Sequence, residues 1–231
     1  MTSGYDRRSV LRTGLLLGAG AALSGPLSAC SSPEDGPVSP TARPSPTPTG
    51  DPVTPTAPTR LLLAYFSRPG ENYYRGGRRN LTVGNTDVLA RMIADLIDCD
   101  VHRIEAADPY SFGYDATVAR NAREQDGDTR PAIANPLPSI APYDTVLLGS
   151  PIWNVRPPMI MATLTQSVDL TGKTIHPFVT YAVSGLGRTG RDYTSWCRGA
   201  RIAPGLAVQG EEAGDHRPDV EVWLRAANLI T

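Results

Sequence analysis

Residues 60–231 carry five short apolar runs separated by stretches of helical periodicity, and this alternation limits the folds open to the chain. The runs are Leu61–Phe66, Asp100–Ile104, Thr145–Gly149, Ile175–Val183 and Gly205–Gln209. The first and third are apolar at nearly every position rather than at every second one, the mark of a strand buried on both faces. Between the first two runs, Val88, Leu89, Met92, Ile93, Leu96 and Ile97 recur at helical spacing, with Asn85 or Thr86 expected as N-cap. Residues 114–126 read as a polar helix, 159–164 as a third, and 220–229 as a closing one. Strands alternating with helices imply an α/β domain: one five-stranded parallel sheet with helices on both faces. Its 172 residues suffice for a full core.

Ligands of such sheets sit at the carboxyl ends of the strands, where the strand order reverses. Polar and glycine-rich residues follow the first, third and fourth strands. Ser67 and Gly84-Asn85-Thr86 bring hydroxyls, an amide and backbone N–H groups to a helix N-terminus. That set either holds a phosphate or simply caps the helix. No G-x-x-x-x-G-K-[ST] motif is present, which excludes an ATP-type phosphate loop. Pro151-Ile152-Trp153-Asn154 places an indole beyond the third strand, as a flat wall or as core packing. Ser184-Gly185-Leu186-Gly187 lets backbone approach a ligand closely. Together the three loops suit a phosphorylated planar heterocycle.

The rest of the chain reads as an address and a tether. The segment 1–30 opens with Arg7-Arg8, continues through a short Gly/Ala-rich apolar stretch and ends Leu27-Ser28-Ala29-Cys30. It resembles a twin-arginine export signal ending in a lipoprotein box, with Cys30 as the acylated anchor. Two acyl chains there would supply the two signals that stable anchoring needs. Residues 31–59 hold nine prolines and ten Ser or Thr among 29 residues, a composition expected to stay a disordered, extended spacer. With 22 basic and 23 acidic residues and no basic cluster, the chain is not read as a nucleic-acid binder. Three cysteines cannot build a disulfide scaffold, and three widely separated histidines suggest no metal site.

Residues 60–231 resemble the flavodoxin-like family, in its bacterial branch with a long first loop. The resemblance rests on Tyr65-Phe66-Ser67-Arg68-Pro69-Gly70-Glu71-Asn72-Tyr73, Val83-Gly84-Asn85-Thr86, Tyr143 through Trp153, Gly172-Lys173-Thr174-Ile175 and Ser184-Gly185-Leu186-Gly187, in that order. It implies FMN as cofactor. By position, Ser67, Gly84, Asn85 and Thr86 would hold the phosphate, with Arg68 as an addition. Pro151, Ile152, Trp153, Asn154, Ser184, Gly185 and Gly187 would flank the isoalloxazine. Asn154 and Val155 stand where the branch usually has Trp and Gly, and Asn154 is expected to keep a positive-φ turn. Val183 stands where Gly is usual, and Tyr181 either stacks on the ring or packs in the strand.

The function expected from all this is electron transfer, or reduction of a small acceptor such as a quinone, by a lipoprotein on the outer face of the cytoplasmic membrane. The chemistry would come from the cofactor, so no catalytic side chain is assigned. A scaffold or binding lipoprotein on a degenerate flavodoxin fold is one alternative. A reductase with its own NAD(P)H site is another, since Gly185-Leu186-Gly187-Arg188-Thr189-Gly190 matches G-x-G-x-x-G. Cys99 and Cys197 are open to pairing outside the cell.

Overall fold

The computed structural model describes residues 60–231. The signal, the spacer and Cys30 lie outside the described residues. The elements, in chain order, are β1 (Leu61–Phe66), β2 (Gly70–Tyr74), β3 (Gly77–Leu81), α1 (Asn85–Ala94), β4 (Asp100–Ile104), α2 (Tyr114–Asp126), β5 (Thr145–Pro151), α3 (Met159–Ser167), β6 (Thr174–Tyr181), α4 (Thr189–Trp196), β7 (Arg201–Ile202), β8 (Leu206–Gln209) and α5 (Arg217–Ala226).

The main sheet runs β4-β1-β5-β6, and β7 and β8 both pair with β6. Every pairing in it is parallel. This is the expected architecture, with one refinement at the edge. The fifth strand position is shared by β7, beside Thr174–Ile175, and β8, beside Phe178–Tyr181. Pro204 lies between the two segments and lacks a backbone N–H for the ladder.

Along β1 the side chains alternate between two cores. Leu62, Ala64 and Phe66 pack with residues of α3 and α4, including Met159, Ile160, Tyr193 and Trp196. Leu63 and Tyr65 pack with α1 and α5 through Leu89, Ile93, Val220, Trp223 and Leu224. Each buried aliphatic side chain contributes about 1.5–3 kcal/mol, which is why a continuous apolar run is stable only inside a covered sheet. Cys197 belongs to the first core and Cys99 packs against the second. The sheet lies between them, so these two thiols are not joined to each other. Among the described residues no helix is long and apolar enough to cross a membrane.

The long first loop is not irregular. Residues 70–81 form an antiparallel hairpin, β2–β3, in register from Gly70↔Leu81 to Tyr74↔Gly77. Its tip residues Arg75 (φ 45) and Gly76 (φ 83) are both left-handed, the requirement of a two-residue turn matched to strand twist.

Candidate functional site

The chain changes direction across the sheet between β4 on one side of β1 and β5 on the other. Beyond the carboxyl ends of β1, β5 and β6 lies a cavity of about 590 Å³. Its walls come from segments far apart in sequence, and each is fixed by a local bond that can be named.

The first wall is the junction of β1 and α1. Asn85 and Thr86 open the helix, but neither caps it; the N-cap position is Gly84, without a side-chain bond. The cap comes from another element: Ser67 Oγ accepts from Asp87 N–H at 3.0 Å. The expectation of Asn85 or Thr86 as cap is therefore corrected. Both side chains are free to face the cavity, and both line it together with Ser67. Thr86 shares a hydrogen bond with Thr180 of β6 at 2.7 Å. Gly84 itself is not in the wall. A Cβ there would meet Ser67 Oγ and stand 2.5 Å from Arg68 O, so a glycine is needed for the helix to approach the strand end.

Arg68 is buried and lines the same corner. Its guanidinium donates to Ser111 O (2.8 Å), Phe112 O (3.2 Å) and Glu71 O. Its Nε is buried with no partner. Burial lowers its pKa from the ordinary arginine value, with Glu71 opposing. Arg68 thus ties the hairpin root to the 111–112 loop and keeps one buried donor without a partner. A buried donor without an acceptor costs about 1–3 kcal/mol, and an anion here removes that cost. Helix dipole, backbone N–H groups and this donor are the chemistry that an anion subsite uses.

The second wall follows β5. Pro151, Ile152, Trp153 and Asn154 all line the cavity. The indole both packs and lines: it meets Phe66 edge-on at 5.7 Å and Tyr110 at 5.1 Å. Tyr110 OH donates to Glu124 at 2.8 Å, and Arg120 Nε donates to the same carboxylate at 2.6 Å. Trp153 and Arg156 close a two-residue turn, with bonds of 2.9 and 3.3 Å. Its central residues are Asn154 (φ 48) and Val155 (φ 61). Asn tolerates this region; a β-branched Val is strained there. The turn is held from α2, where Gln125 Nε2 donates to Trp153 O at 3.0 Å and Asn154 Nδ2 donates to Gln125 Oε1 at 3.1 Å.

The third wall follows β6: Thr180, Tyr181, Ala182, Val183 and Ser184 line the cavity. Tyr181 is half-buried and faces the site, while Val183 stands exposed at its mouth. Gly185 and Gly187 are not in the wall. Gly187 (φ 51) instead lies against Val155, where a Cβ would come within 2.9 Å of the carbonyl carbon, and Arg188 N–H donates to Val155 O at 2.7 Å. Arg156 Nε donates to Asp192 at 2.9 Å across the same contact. Within the G-x-G-x-x-G stretch, Gly187 and Arg188 thus hold this loop against the 154–155 turn, while Gly185 and Gly190 meet no neighbour.

Three contributions were not foreseen from sequence. The hairpin supplies Asn72 and Tyr73, α2 supplies Tyr114, Thr117, Val118, Asn121 and Ala122, and the turn after β8 supplies Gly210 and Glu211. One signal was present for α2: Thr117, Asn121 and Glu124 are polar yet buried, and they recur at helical spacing. A polar face that repeats every turn has to be satisfied by something it packs on.

Solved structures of the same architecture come from flavoproteins. A protein from Bacteroides uniformis assigned as a flavoprotein is 27% identical, over 72% of this chain and 98% of its own, with a TM-score of 0.59. One from Bacteroides eggerthii is 24% identical, over 74% and 99%, at 0.60. A flavoprotein from Lactobacillus acidophilus in complex with FMN is 18% identical, over 67% and 95%, at 0.50, a likeness of fold. No curated protein matches the chain. The flavodoxin family model matches residues 80–226, more than half of the 231 residues, and on that match, with the parallel sheet and its switch-point cavity, the chain belongs to the flavodoxin family.

Proposed function

We propose that this chain binds FMN and passes electrons to a small acceptor, a quinone being the expected class, while tethered by a lipid at the outer face of the cytoplasmic membrane. The observation that carries the cofactor reading is the corner where Ser67 and the α1 N-terminus line the cavity beside Arg68, whose buried Nε has no partner. Ser67, Asn85, Thr86 and Arg68 Nε would hold the phosphate. Trp153 and the 154–155 turn on one side, with Tyr181 to Ser184 on the other, would flank the ring. Bound FMN supplies one- and two-electron transfer. The chain's own residues position it: Gln125 fixes the first ring loop, and the Gly187–Val155 contact fixes the second against it.

The cavity walls are suited to a neutral planar ring. Among the lining residues only Arg68 and Glu211 carry charge; the rest are apolar, aromatic, hydroxyl or amide groups. The surface location rests on residues 1–59. Arg7-Arg8 and the stretch ending at Cys30 support export with lipidation, and twin-arginine export of a folded domain suits a cofactor acquired before transport. The 29-residue spacer could extend about 90 Å at ~3.1 Å per residue, enough reach for acceptors at or near the bilayer.

The test is the absorption spectrum of the purified full chain, with FMN added where the preparation is colourless. Flavin bands and quenched Trp153 fluorescence are expected. A folded protein that neither carries nor takes up FMN overturns the cofactor reading. Mass spectrometry of the membrane fraction tests the anchor: a diacylated N-terminal Cys30 is expected, and a soluble chain retaining residues 1–29 refutes it.

A further inference from the structure

FMN, as placed above, takes the cavity walls that follow β1, β5 and β6. One wall is left over. It is a face of α2, where Tyr114, Thr117, Val118, Asn121 and Ala122 recur at helical spacing, joined by Tyr73 of the hairpin. Tyr114 is held in place: its N–H donates to Glu71 Oε2 at 3.0 Å, and the Arg78 guanidinium lies over its ring at 4.5 Å. Thr117 spends its hydroxyl proton on Ser111 O and Gly113 O, each at 3.0 Å. Asn121 is different. It is 3% exposed, its Oδ1 accepts from Gln125 Nε2 at 3.1 Å, and its Nδ2 has no hydrogen-bond partner among the described residues. Unlike Arg68 Nε, that nitrogen is not sealed in protein, and the side chain lines the cavity. The direction of the amide is fixed by a backbone group. Gln125 Nε2 also donates to Trp153 O at 3.0 Å, and a carbonyl can only accept. Turning Gln125 over would set two acceptors against each other, so Gln125 presents N–H to Asn121, and Asn121 keeps its own N–H groups for the cavity.

We propose that this α2 face is the subsite of the electron acceptor, and that it takes a neutral planar ring whose carbonyl oxygen accepts a hydrogen bond from Asn121 Nδ2. The inference rests on the FMN reading above, which leaves this wall free. The link through Gln125 to Trp153 O sets Asn121 beside the turn that flanks the flavin ring, so an acceptor bound there lies next to the ring end of the site. The wall is uncharged, since the charged lining residues Arg68 and Glu211 stand outside α2. An anionic acceptor finds no cation on it. A ring without a carbonyl leaves the buried N–H unpaired, and a site built to hydrogen-bond its ligand rejects an analogue that lacks the partner group. Tyr73, Tyr114, Val118 and Ala122 supply the aromatic and apolar surface that covers the rest of such a ring. The flavin also carries ring carbonyls, so the donor's two candidate partners share one chemistry and are told apart by titrating each ligand.

The experiment titrates duroquinone into the full-length chain loaded with oxidised FMN, which cannot reduce it, and follows binding by calorimetry. Duroquinone is methylated at every open ring carbon, so it does not alkylate the free thiols of Cys99 and Cys197. The same chain is titrated with p-xylene, a ring without carbonyls, and the apo chain with FMN. Two variants are compared with wild type. Asn121→Ala removes the donor and should weaken duroquinone binding about two- to tenfold. Asn121→Asp puts a carboxylate oxygen where the N–H stood and should weaken it at least about tenfold. Should Asn121→Asp not fold, Asn121→Ala alone decides. The loss for p-xylene should be smaller than the loss for duroquinone in either variant, which a merely structural role would not produce. Wild-type chain that holds FMN but not duroquinone overturns the subsite, and so does a duroquinone affinity that neither variant moves. A larger loss for FMN than for duroquinone assigns the Asn121 donor to the flavin and overturns it as well. A wild type that takes up no FMN overturns the cofactor reading instead.

Discussion

Replacing Gly84 by Ala tests whether the phosphate corner depends on close approach rather than on residue type. Gly84 has φ −70 and ψ 148, which alanine adopts without strain, so any effect is steric. The added Cβ would stand 2.5 Å from Arg68 O and would also meet Ser67 Oγ, where ordinary contact begins at 3.4 Å, so β1 and α1 must part by about 0.9 Å. The Ser67 Oγ to Asp87 N–H bond starts at 3.0 Å and does not survive that separation. Losing the cap costs about 1 kcal/mol, and overpacking of this kind costs about 1–3 kcal/mol. The sum, about 2–4 kcal/mol, lowers Tm by roughly 5–15 °C at this domain size. FMN affinity should fall at least about tenfold, since each 1.4 kcal/mol of lost contact is a factor of ten. The control is Gly190→Ala in α4, where a Cβ meets nothing and helix propensity gains up to about 1 kcal/mol. Calorimetry and FMN titration of both variants decide the matter. A Gly84→Ala protein that melts and binds like wild type, or one matched by Gly190→Ala, refutes the reasoning.

Three further outcomes follow from the same structure. Arg68→Ala strips three part-buried carbonyl bonds of their charged donor and should cost about 1.5–3 kcal/mol, loosening the hairpin; Arg68→Lys should not restore it, and hydrogen exchange at residues 70–81 reads the change. Val155→Gly relieves a left-handed β-branched residue worth about 1–3 kcal/mol against a glycine entropy cost of about 0.5–1 kcal/mol. A net gain of about 1 kcal/mol in urea unfolding is expected, and a loss would show that Val155 is not strained. Burial holds the His176 imidazole below its ordinary value of 6.5, with Arg201 adding to the shift. Its contribution to stability is therefore complete above pH 6.5 and is lost as pH falls toward the lowered folded value, because the unfolded chain takes up the proton first. Unfolding free energy should fall more steeply from pH 7 to 5 in wild type than in His176→Gln; parallel curves would sink this assignment. His216, raised mainly by its bond to Asp219, has the opposite sign but is common to both proteins and cancels in the comparison.

The amino-acid sequence by itself determined the sheet and its order of use. Uninterrupted apolar runs such as Leu61–Phe66 and Thr145–Gly149 can be satisfied only between two helical layers, and the periodicity of 88–97 marks one of those layers. The polar loops at the strand ends were legible for the same reason, since local composition marks where burial stops. What tertiary structure decided was how distant segments complete the site. Ser67 caps a helix twenty residues on, Gln125 of a polar helix holds the turn beside Trp153, and Gly187 packs against Val155. The hairpin in residues 70–81 had no hydrophobic alternation to announce it, because its Arg78 and Arg75 pair with Asp115, Tyr114 and Glu212 instead of a core. Such contacts depend on which ends of which strands become neighbours. That is set by the packing of the whole sheet, and no local pattern of residue types encodes it.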